Sequence, residues 1–428
     1  MSTEAVAIMI LIGVFLVLLL LRVSVAISMG IATICTYLFL KLPLELVVQY
    51  TVGGVNNFTF MAVPFFILGG ELINQGGIGD RLIKLADELV GWLHGGAAMV
   101  NVLASMFFGG ISGSPNADIA ALGPMEIKLM ESQGFSKGYS AGLTCATAVQ
   151  GMLIPPSHNL VIYAVAAGNV SIGALFLAGL PAGIFLGIVL GIYSYIYARR
   201  RGYATGHKFN FKRTVRAFIS AFGGLLTIII IFCGVSFGIM TATESAAVAA
   251  LWGFICAFFL YRDIPLSRYY KIASAAIKTL STIMILLAIA NAFGWVVAYL
   301  RIPNKIAAAI LTLTNNKILI LLLINLLILF LGCIMSISSI LLIITPIVVP
   351  ILVQLDYSLV QFGIVMILNL GIGLLTPPVG AALYVGSAIS GLSVGKTAKA
   401  LLPFYLMMVI TLIALASVPE LTRIFGAW

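Results

Sequence analysis

Long apolar runs dominate the chain and are interrupted only by short clusters of charged residues. A helix needs about 20 apolar residues to cross the roughly 30 Å hydrocarbon core of a bilayer. The runs predict helical spans at about 5–40 (two spans), 55–75, 173–198, 217–240, 243–260, 277–300 and 396–418. The pattern therefore predicts an all-α polytopic membrane protein.

Two apolar stretches are too short for a comfortable crossing, and each ends in small and polar residues. One, at about 96–112, ends in a tip at 109–118, and the chain reaches charge again at Glu126. The other has its tip near 332–339. Two half-length helices joined by such a tip are typical of a re-entrant hairpin, whose tip must be buried in protein or face a water-filled cavity. Before the first hairpin, apolar residues at helical spacing in 79–90 indicate a helix lying in the membrane interface.

Two further apolar stretches are broken by adjacent prolines, at Pro155-Pro156 and at Pro377-Pro378. Because proline has no N–H group, nearby backbone carbonyls lose their helical partners. In hydrocarbon an unpaired carbonyl costs several kcal/mol unless the break lines a cavity or meets an ion. The prolines therefore predict broken helices at about 138–168 and 359–391. A pair of broken helices at matched positions in two halves points to a transporter's binding site.

The two broken helices belong to a longer internal repeat. Four pairs of prolines, out of 15 prolines in the chain, share one separation of 222 residues, which indicates a duplication. Several glycines and serines share the same separation, including Gly110 with Gly332 and Ser114 with Ser336. The proline pairs are Pro124 and Pro346, Pro155 and Pro377, Pro156 and Pro378, and Pro181 and Pro403.

The repeat divides the chain into four predicted parts. Residues 1–54 form N-terminal scaffold spans, and 55–198 form repeat 1, with a span, an interfacial arm, a hairpin, a broken helix and a second span. Residues 199–276 hold basic cytoplasmic loops and linking scaffold spans, and 277–428 form repeat 2. Each repeat crosses the membrane an odd number of times, so repeat 2 is expected to be inverted relative to repeat 1.

Composition and charge support this membrane topology. Hydrophobic residues make up 62% of the chain and charged residues 8%, which excludes a soluble globular protein. The net charge of +10 is interpreted as a sign of membrane topology rather than of a nucleic-acid partner. Seven basic residues and no acidic one fall within 199–216. This loop is therefore expected to be cytoplasmic. The first hairpin then enters from the cytoplasm and the second from outside, with the N-terminus outside and Arg22 inside. Three basic residues are placed outside, against the rule: Arg301, Lys305 and Lys317.

The first apolar run is interpreted as a membrane anchor rather than a cleaved signal peptide, since it lacks a basic flank and continues almost unbroken to Leu40. The five cysteines lie far apart in apolar surroundings and predict packing residues, with neither a disulfide framework nor a metal site.

Inverted hairpins and inverted broken helices would bring two polar tips and two unwound segments together near the midplane. Freed carbonyls, the hydroxyl groups of Ser157 and Thr376 and the serines of the tips form an oxygen-rich, carboxylate-poor environment. Such donors suit Na⁺, which is a hard cation. Helix N-termini at the same place favour an anion. The combination predicts cotransport of Na⁺ with an anionic solute.

Three ionisable residues have more than one interpretation. Asp118, one turn beyond the first tip, is a candidate to help hold a cation. Glu244 is expected to stabilise the start of a helix electrostatically. His158 corresponds to Gly380 in repeat 2, which excludes a symmetric role and leaves a local one, such as a contact with substrate. The serines of the first tip are also candidates to cap the returning half-helix.

Other function classes fit the same residues less well. An intramembrane serine hydrolase would pair Ser114 as nucleophile with His158 as base, but the second tip has Ser336 and no histidine. A passive channel would not need tips and broken helices that suit occlusion. A proline kink that merely eases packing would not explain two copies in register.

The layout resembles the large membrane subunit of tripartite ATP-independent periplasmic (TRAP) transporters. The resemblance covers essentially the whole chain and rests on the two hairpins, the Gly-x-x-Thr-Pro-Pro segment at 373–378 and the Thr-x-Thr-Glu-Ser-Ala-Ala turn at 241–247. It implies an elevator mechanism and organic-acid substrates, chiefly C4-dicarboxylates and sialic acids. It also implies two partners, which are a small four-helix membrane subunit and a periplasmic substrate-binding protein. The related divalent-anion/Na⁺ symporters share the hairpin and Thr-Pro features without such partners.

The resemblance and the repeat together assign candidate site residues in a non-enzymatic importer of the bacterial inner membrane. No organic cofactor is expected, and Na⁺ is the coupling ion. One sodium site is expected at Gly110, Ser112, Gly151 and Ser157, and the other at Gly332, Gly373, Thr376 and Val379, through backbone carbonyls where no side-chain oxygen exists. Position 154 is isoleucine where repeat 2 has Thr376, so the serines of the first site are expected to compensate. Substrate contacts are expected at Ser114, Pro115, Asn116, Pro156, Ser336, Ser338 and Pro378.

Overall fold

The computed structural model describes residues 2–21, 23–56, 58–168, 170–203, 206–306 and 316–426, with the backbone alone at residues 58 and 59. Within these ranges the regular structure is entirely helical. The helices of the first half are α1 (Thr3–Leu20), α2 (Val25–Phe39), α3 (Glu45–Val55), α4 (Ala62–Gln75), α5 (Ile78–Val90), α6 (Gly96–Ser112), α7 (Pro115–Ala121), α8 (Gly123–Ser132), α9 (Lys137–Ala148), α10 (Gln150–Leu153), α11 (His158–Ala167) and α12 (Ile172–Arg200).

The second half has the same kinds of elements after two linking helices. Its helices are α13 (Phe211–Ser236), α14 (Ala242–Ile255), α15 (Tyr269–Tyr299), α16 (Lys317–Gly332), α17 (Ile337–Gln354), α18 (Leu359–Leu375), α19 (Ala381–Ser390), α20 (Val394–Ser417) and the short α21 (Glu420–Arg423). We refer to α6–α8 as hairpin 1, α9–α11 as broken helix 1, α16–α17 as hairpin 2 and α18–α19 as broken helix 2.

The predicted all-α polytopic fold class is confirmed. Seven helices of the described ranges are long and apolar enough to cross a bilayer. They include α12, α13 and α20, which match predicted spans closely, and a helix, α5, covers the segment predicted as interfacial at 79–90. Leucine, isoleucine and phenylalanine side chains remain exposed along the long helices, as expected for surfaces that face lipid.

Several boundaries differ from the sequence-based expectation. The residues between the second and third predicted spans form a helix of their own, α3, and the predicted span at 55–75 is a 3₁₀ turn followed by the 14-residue α4. Helix α15 begins at Tyr269 rather than near residue 277, so Lys271 lies on the helix and not in the preceding loop. The return arm of hairpin 1 is divided in two at Gly123-Pro124, and that of hairpin 2 has 18 residues, more than a half-length helix. Arg22 and most of the arm predicted at 301–317 lie outside the described residues.

Polar side chains at the helix starts explain where several elements begin. Ser136, Asn210, Ser336 and Ser358 each accept a hydrogen bond from a backbone N–H of the first turn of α9, α13, α17 and α18. These N–H groups have no partner inside the helix, so the caps supply one.

The two halves of the chain contact each other through their broken helices. The return arm of hairpin 1 packs against α19 of broken helix 2, and the return arm of hairpin 2 packs against α11 of broken helix 1. Helix α19 also packs against α9 of broken helix 1, where a side chain at Gly386 would overlap with the Sγ atom of Cys145. Each hairpin is thus supported by the half of the chain to which it does not belong.

Helices α2, α3 and α4 pack against α15, and α4 also packs against α14. A Cβ atom on Gly54 of α3 would lie 2.7 Å from Cβ of Asn291 on α15, so the two helices are in close backbone contact. Trp295 of α15 stacks on Tyr50 of α3, with ring centroids 5.0 Å apart.

Candidate functional site

The tip of hairpin 1 lies against the break in broken helix 1, and we call this contact junction 1. A Cβ atom on Gly109 would overlap with Cα of Gly151, so the two backbones touch. At the tip, Gly113 has a φ angle of +61°, and a side chain there would meet the carbonyl oxygen of Pro156 at 3.2 Å. Glycine is needed at both places, for space at Gly109 and for conformation at Gly113.

The polar side chains at junction 1 have few hydrogen-bond partners. The Oγ atom of Ser157 is fully buried and has no hydrogen-bond partner. The Nδ2 atom of Asn159 donates a hydrogen bond of 3.4 Å to the carbonyl oxygen of Gly113 and so links α11 to the tip. Buried polar groups without partners are rare, and one explanation for such a group is an ion that the structure does not contain.

Hairpin 2 and broken helix 2 form the corresponding junction 2. A Cβ atom on Gly373 would lie 2.8 Å from Cα of Gly332. The carbonyl oxygen of Cys333, at the tip, accepts hydrogen bonds from the backbone N–H groups of Val379 (3.1 Å) and Gly380 (3.4 Å). Gly380 has a φ angle of +44°, which an L-residue rarely adopts. The Pro155–Pro156 and Pro377–Pro378 peptide bonds are both cis.

Thr376 ends α18 at junction 2. Its hydroxyl group donates a hydrogen bond of 2.7 Å to the carbonyl oxygen of Ile372, one turn earlier, and its backbone N–H donates to the carbonyl oxygen of Gly373 at 2.9 Å. Because the hydroxyl group uses its proton in this bond, its oxygen can still act as an acceptor or a cation ligand. Tyr405 of α20 donates to the neighbouring carbonyl oxygen of Leu375 at 2.6 Å, which fixes the end of the helix.

All eight residues of the predicted sodium sites lie at the two junctions. In junction 1 the residue in contact with Gly151 is Gly109 rather than Gly110, and Gly110 faces Ile154 and the carbonyl oxygen of Pro155. The half-buried Ser112 accepts a weak hydrogen bond of 3.4 Å from the N–H group of Ser114. In junction 2 all four predicted residues are close in space: Gly332, Gly373, Thr376 and Val379.

The predicted substrate residues lie at the starts of the return helices and at the breaks. Ser114 is the N-cap residue of α7 without a side-chain cap hydrogen bond, and Pro115 follows as the first helical residue. Ser336 does cap α17, through a hydrogen bond of 3.3 Å from the N–H group of Ser339. Asn116, Ser336 and Pro378 are exposed, whereas Ser338 is half-buried and Pro115 and Pro156 are buried.

The two junctions differ in their exposure. Residues 154–157 of junction 1 are all buried, whereas 377–379 of junction 2 are exposed, with Val379 at 47%. The break in broken helix 1 is therefore enclosed by protein, whereas the corresponding break in broken helix 2 is exposed.

The three ionisable residues have different surroundings. Glu244 accepts hydrogen bonds from the N–H (2.8 Å) and hydroxyl (2.9 Å) groups of Thr241, which completes a capping box at the start of α14. His158 is the first residue of α11, and its Nδ1 atom lies beside Gly113. No hydrogen bond joins it to Ser114. Asp118 is buried behind the tip of hairpin 1.

Two cavities lie outside the junctions. A cavity of about 870 Å³ is lined by α3, α11, α15, α17 and the turn between α13 and α14, including Tyr50, Asn291 and Pro346. A second, of about 620 Å³, lies between α16, α18 and α20. Neither is lined by a predicted site residue. No group of three or more His, Cys, Asp or Glu side chains in the described ranges could hold a metal ion.

Sequence reasoning missed several residues of the junctions: Gly109, Gly113, Cys333, Asn159 and Tyr405. Gly113 lies within the predicted tip and Gly109 is adjacent to the predicted Gly110, so both could have been included. Cys333 acts through its carbonyl oxygen, and the contacts of Asn159 and Tyr405 depend on tertiary structure, so no signal in the sequence identifies them.

Residues 12–421 match the family described as "Tripartite ATP-independent periplasmic transporter, DctM component". The chain is 38% identical to the sialic acid TRAP transporter large permease protein SiaM of Vibrio cholerae over 374 residues, 87% of each chain. It is 36% identical to the C4-dicarboxylate TRAP transporter large permease protein DctM of Pseudomonas aeruginosa, again over 87% of each chain. It is 37% identical to the isethionate TRAP transporter permease protein DctMQ of Oleidesulfovibrio alaskensis, over 93% of this chain and 63% of that protein.

Solved transporter structures share the fold. The YdaH transporter of Alcanivorax borkumensis superposes with a TM-score of 0.66 over 88% of each chain, at 15% sequence identity. MtrF of Neisseria gonorrhoeae superposes with a TM-score of 0.59 over 89% of this chain and 84% of its own, at 14% identity. The sequence matches establish more than the fold: the chain belongs to the DctM family, the large membrane subunits of TRAP transporters, and is a multi-pass protein of the bacterial inner membrane.

Proposed function

We propose that the protein imports an organic-acid anion together with Na⁺, that a periplasmic binding protein delivers this anion, and that a small four-helix subunit completes the membrane complex. The observation that carries the proposal is the pair of junctions, in which a hairpin tip meets a broken helix twice in one chain. Paired broken helices of this kind are where secondary transporters bind their substrate and coupling ions.

The donor atoms at the junctions support Na⁺ as the coupling ion. Junction 1 offers the buried, unpartnered Oγ atom of Ser157, and junction 2 offers the hydroxyl oxygen of Thr376 beside backbone carbonyls freed by the prolines. These are neutral oxygen ligands, which suit a weakly charged hard cation that must be released in each cycle. Each net charge that moves inward gains about 2.3 kcal/mol per 100 mV of membrane potential, so imported cations can drive accumulation of an acid.

Helix N-termini beside the junctions support an anionic substrate. Helices α11, α17 and α19 all begin at the tips or the breaks, at His158, Ile337 and Ala381. Their first N–H groups and the positive ends of their dipoles favour a carboxylate or another anion. Named relatives handle sialic acid, C4-dicarboxylates and isethionate, so we place the substrate of this chain among small organic acids and favour the first two classes.

The arrangement of the 870 Å³ cavity supports an elevator mechanism. Helices α3 and α14, which belong to the predicted scaffold, line one wall, and α11 and α17, which carry parts of the two junctions, line another. A loosely filled space at this boundary is compatible with sliding of one domain against the other. The hairpins and broken helices would then move as a unit, because each hairpin packs on the broken helix of the other repeat.

Reconstitution of the complete system tests the proposal. Proteoliposomes that contain this chain and its small subunit, with binding protein and labelled substrate outside, should accumulate substrate only when Na⁺ is higher outside. The matched control replaces the external Na⁺ with choline at equal ionic strength. Equal accumulation with and without a sodium gradient would contradict the coupling.

A stand-alone symporter without partners is the alternative. Purification through a tag on this chain in mild detergent distinguishes the two, since the tripartite complex should retain a small membrane protein in stoichiometric amount. Full uptake by this chain alone, without binding protein or small subunit, would favour the stand-alone symporter. Hydrolase chemistry at Ser114 and His158 is the remote alternative and has least support, because the two side chains share no hydrogen bond and the relatives are named as permeases.

A further inference from the structure

Hairpin 1 contains two buried carboxylates that the proposed transport sites do not use. Asp118 on α7 and Glu126 on α8 are each only 1% exposed. In the part of the chain that the structure describes, neither forms an ion pair with a lysine, arginine or histidine. An unpaired charge in a dry interior is very unfavourable, and two carboxylates close together are more so.

Neutral polar side chains surround Glu126. Its Oε2 atom accepts a hydrogen bond of 2.8 Å from Nδ2 of Asn101, which also donates to Oγ1 of Thr144 at 2.7 Å. Its Oε1 atom is only weakly engaged, by the Oγ atom of Ser105 at 3.5 Å. Thr147 in turn donates to Oδ1 of Asn101 at 2.8 Å. One edge of the carboxylate is therefore fixed by donors, and the other is left available.

The Asp118 carboxylate is buried without any hydrogen-bond partner on either oxygen. Asp118 lies close enough to the Ser105 hydroxyl group and to Glu126 to interact electrostatically with each, but no hydrogen bond joins it to either. A carboxylate ordinarily accepts several hydrogen bonds, so two unpartnered buried oxygens in the neighbourhood of a second buried carboxylate favour a bound cation.

We propose that Asp118, Glu126 and Ser105 hold a monovalent metal cation, Na⁺ under cellular conditions, at a site distinct from the two junctions. Four oxygens are available as ligands: the two unpartnered oxygens of Asp118, the weakly hydrogen-bonded Oε1 of Glu126 and the Oγ atom of Ser105. That number is small for Ca²⁺, which takes six to eight oxygen ligands, and Mg²⁺ would have to retain several waters. An all-oxygen ligand set also disfavours the softer transition metals, which prefer nitrogen and sulfur ligands.

The cation would join the parts of hairpin 1 into one unit. Ser105 lies on the entering arm α6, and Asp118 and Glu126 lie on the two pieces of the return arm. Thr144 and Thr147 connect the same cluster to broken helix 1. An ion at this position would stabilise hairpin 1 against broken helix 1 whether or not substrate is bound.

The test measures the melting temperature of the purified chain with its small subunit in nanodiscs, in NaCl and in choline chloride at equal ionic strength and pH. The wild-type protein should melt several degrees higher in NaCl, because a ligand that binds only the folded state stabilises that state. The isosteric double variant Asp118→Asn/Glu126→Gln should lose most of this Na⁺-dependent rise and keep only the part that comes from the two junctions. It should also melt higher than the wild type in choline chloride, since it lacks the two uncompensated charges.

A second variant separates this site from the transport sites. Ser157→Ala/Thr376→Ala alters both junctions but should keep most of the Na⁺-dependent rise in melting temperature. Binding of ²²Na⁺ at saturation should fall by one ion per chain in Asp118→Asn/Glu126→Gln. An unchanged count and an unchanged Na⁺-dependent rise in that variant would overturn the proposal. The proposal would also be overturned if low pH in choline chloride raised the melting temperature of the wild type as much as NaCl does. A proton, and not a cation, would then fill the site.

Discussion

The backbones of Gly109 and Gly151 touch, and a Cβ atom on either residue would overlap with the Cα atom of the other. This contact sets the distance between the tip of hairpin 1 and the break in broken helix 1. Because both residues are buried and both contacting atoms belong to the backbone, a side chain cannot be accommodated by a change of rotamer.

We expect Gly109→Ala to lower the melting temperature and the rate of uptake. Overpacking of a core costs about 1–3 kcal/mol, which exceeds the helix propensity that alanine gains, about 1 kcal/mol. The matched control is Gly191→Ala in α12, where a new Cβ atom meets nothing within 4 Å, so that variant should be neutral or slightly more stable. Equal melting temperatures for Gly109→Ala and the wild type would show that the backbones are not in contact.

Ser157→Ala tests the sodium ligand proposed at junction 1. The Oγ atom is buried without a partner, so its removal should leave the melting temperature in choline unchanged or slightly higher. A lost ligand to a charged group is worth about 1.5–3 kcal/mol, so the Na⁺ concentration for half-maximal uptake should rise about tenfold or more. Ser245→Ala in α14, which also removes a buried and unpartnered hydroxyl group, should leave this concentration unchanged.

Thr376→Ala tests junction 2 in the same assay. The protein should still insert and bind its small subunit, but Na⁺-dependent uptake should be strongly reduced, because a candidate ligand is lost where the helix ends. Thr411→Ala is a close control, since its hydroxyl group makes the same kind of hydrogen bond to the carbonyl oxygen four residues earlier, at 2.9 Å, away from the junctions. If both variants lose uptake equally, the hydrogen bond to the helix and not the cation explains the effect.

We expect one contact of His207, in the basic loop at 199–216, to depend on pH. The backbone carbonyl of Lys208 and the Asp87 carboxylate, 3.2 Å from Nε2, raise the pKa of His207 above its usual value near 6.5. A raised pKa in the folded state means that this contact stabilises the protein fully below about pH 6.5 and is lost as pH rises through the raised pKa. The effect should be small, because both side chains are partly exposed.

Melting temperatures between pH 5.5 and 8.5 check this expectation. Asp87→Asn should lower the melting temperature at the acid end of the range and converge with the wild type at the alkaline end. A difference that is constant across the range would assign it to a cause other than the charge on His207.

Sequence periodicity predicted most of the fold because membrane helices must satisfy every backbone hydrogen bond within themselves, so spans, hairpins and breaks leave clear signals. Pro155-Pro156 and Pro377-Pro378 located both breaks to the residue. Helix α3 was not recognised, because its 11 residues are too short for a span and it is held by packing on α15.

The side chains at the site were harder to predict. The 222-residue register relates Gly110 to Gly332, yet Gly109 is the residue that touches Gly151, since the rotation of α6 about its axis decides which glycine faces the break. The pairing of Glu126 with Asn101 joins residues on different helices and has no local sequence pattern. Burial without a partner, as at Ser157, is likewise visible only in three dimensions.

The ratio of ²²Na⁺ flux to substrate flux into proteoliposomes, with binding protein supplied outside, tests the central claim most directly. Two junctions predict about two Na⁺ ions entering with each molecule of substrate in the wild type, and a reduced ratio or no coupled flux in Ser157→Ala and Thr376→Ala. Substrate entry at the wild-type rate with no accompanying ²²Na⁺ would contradict the account.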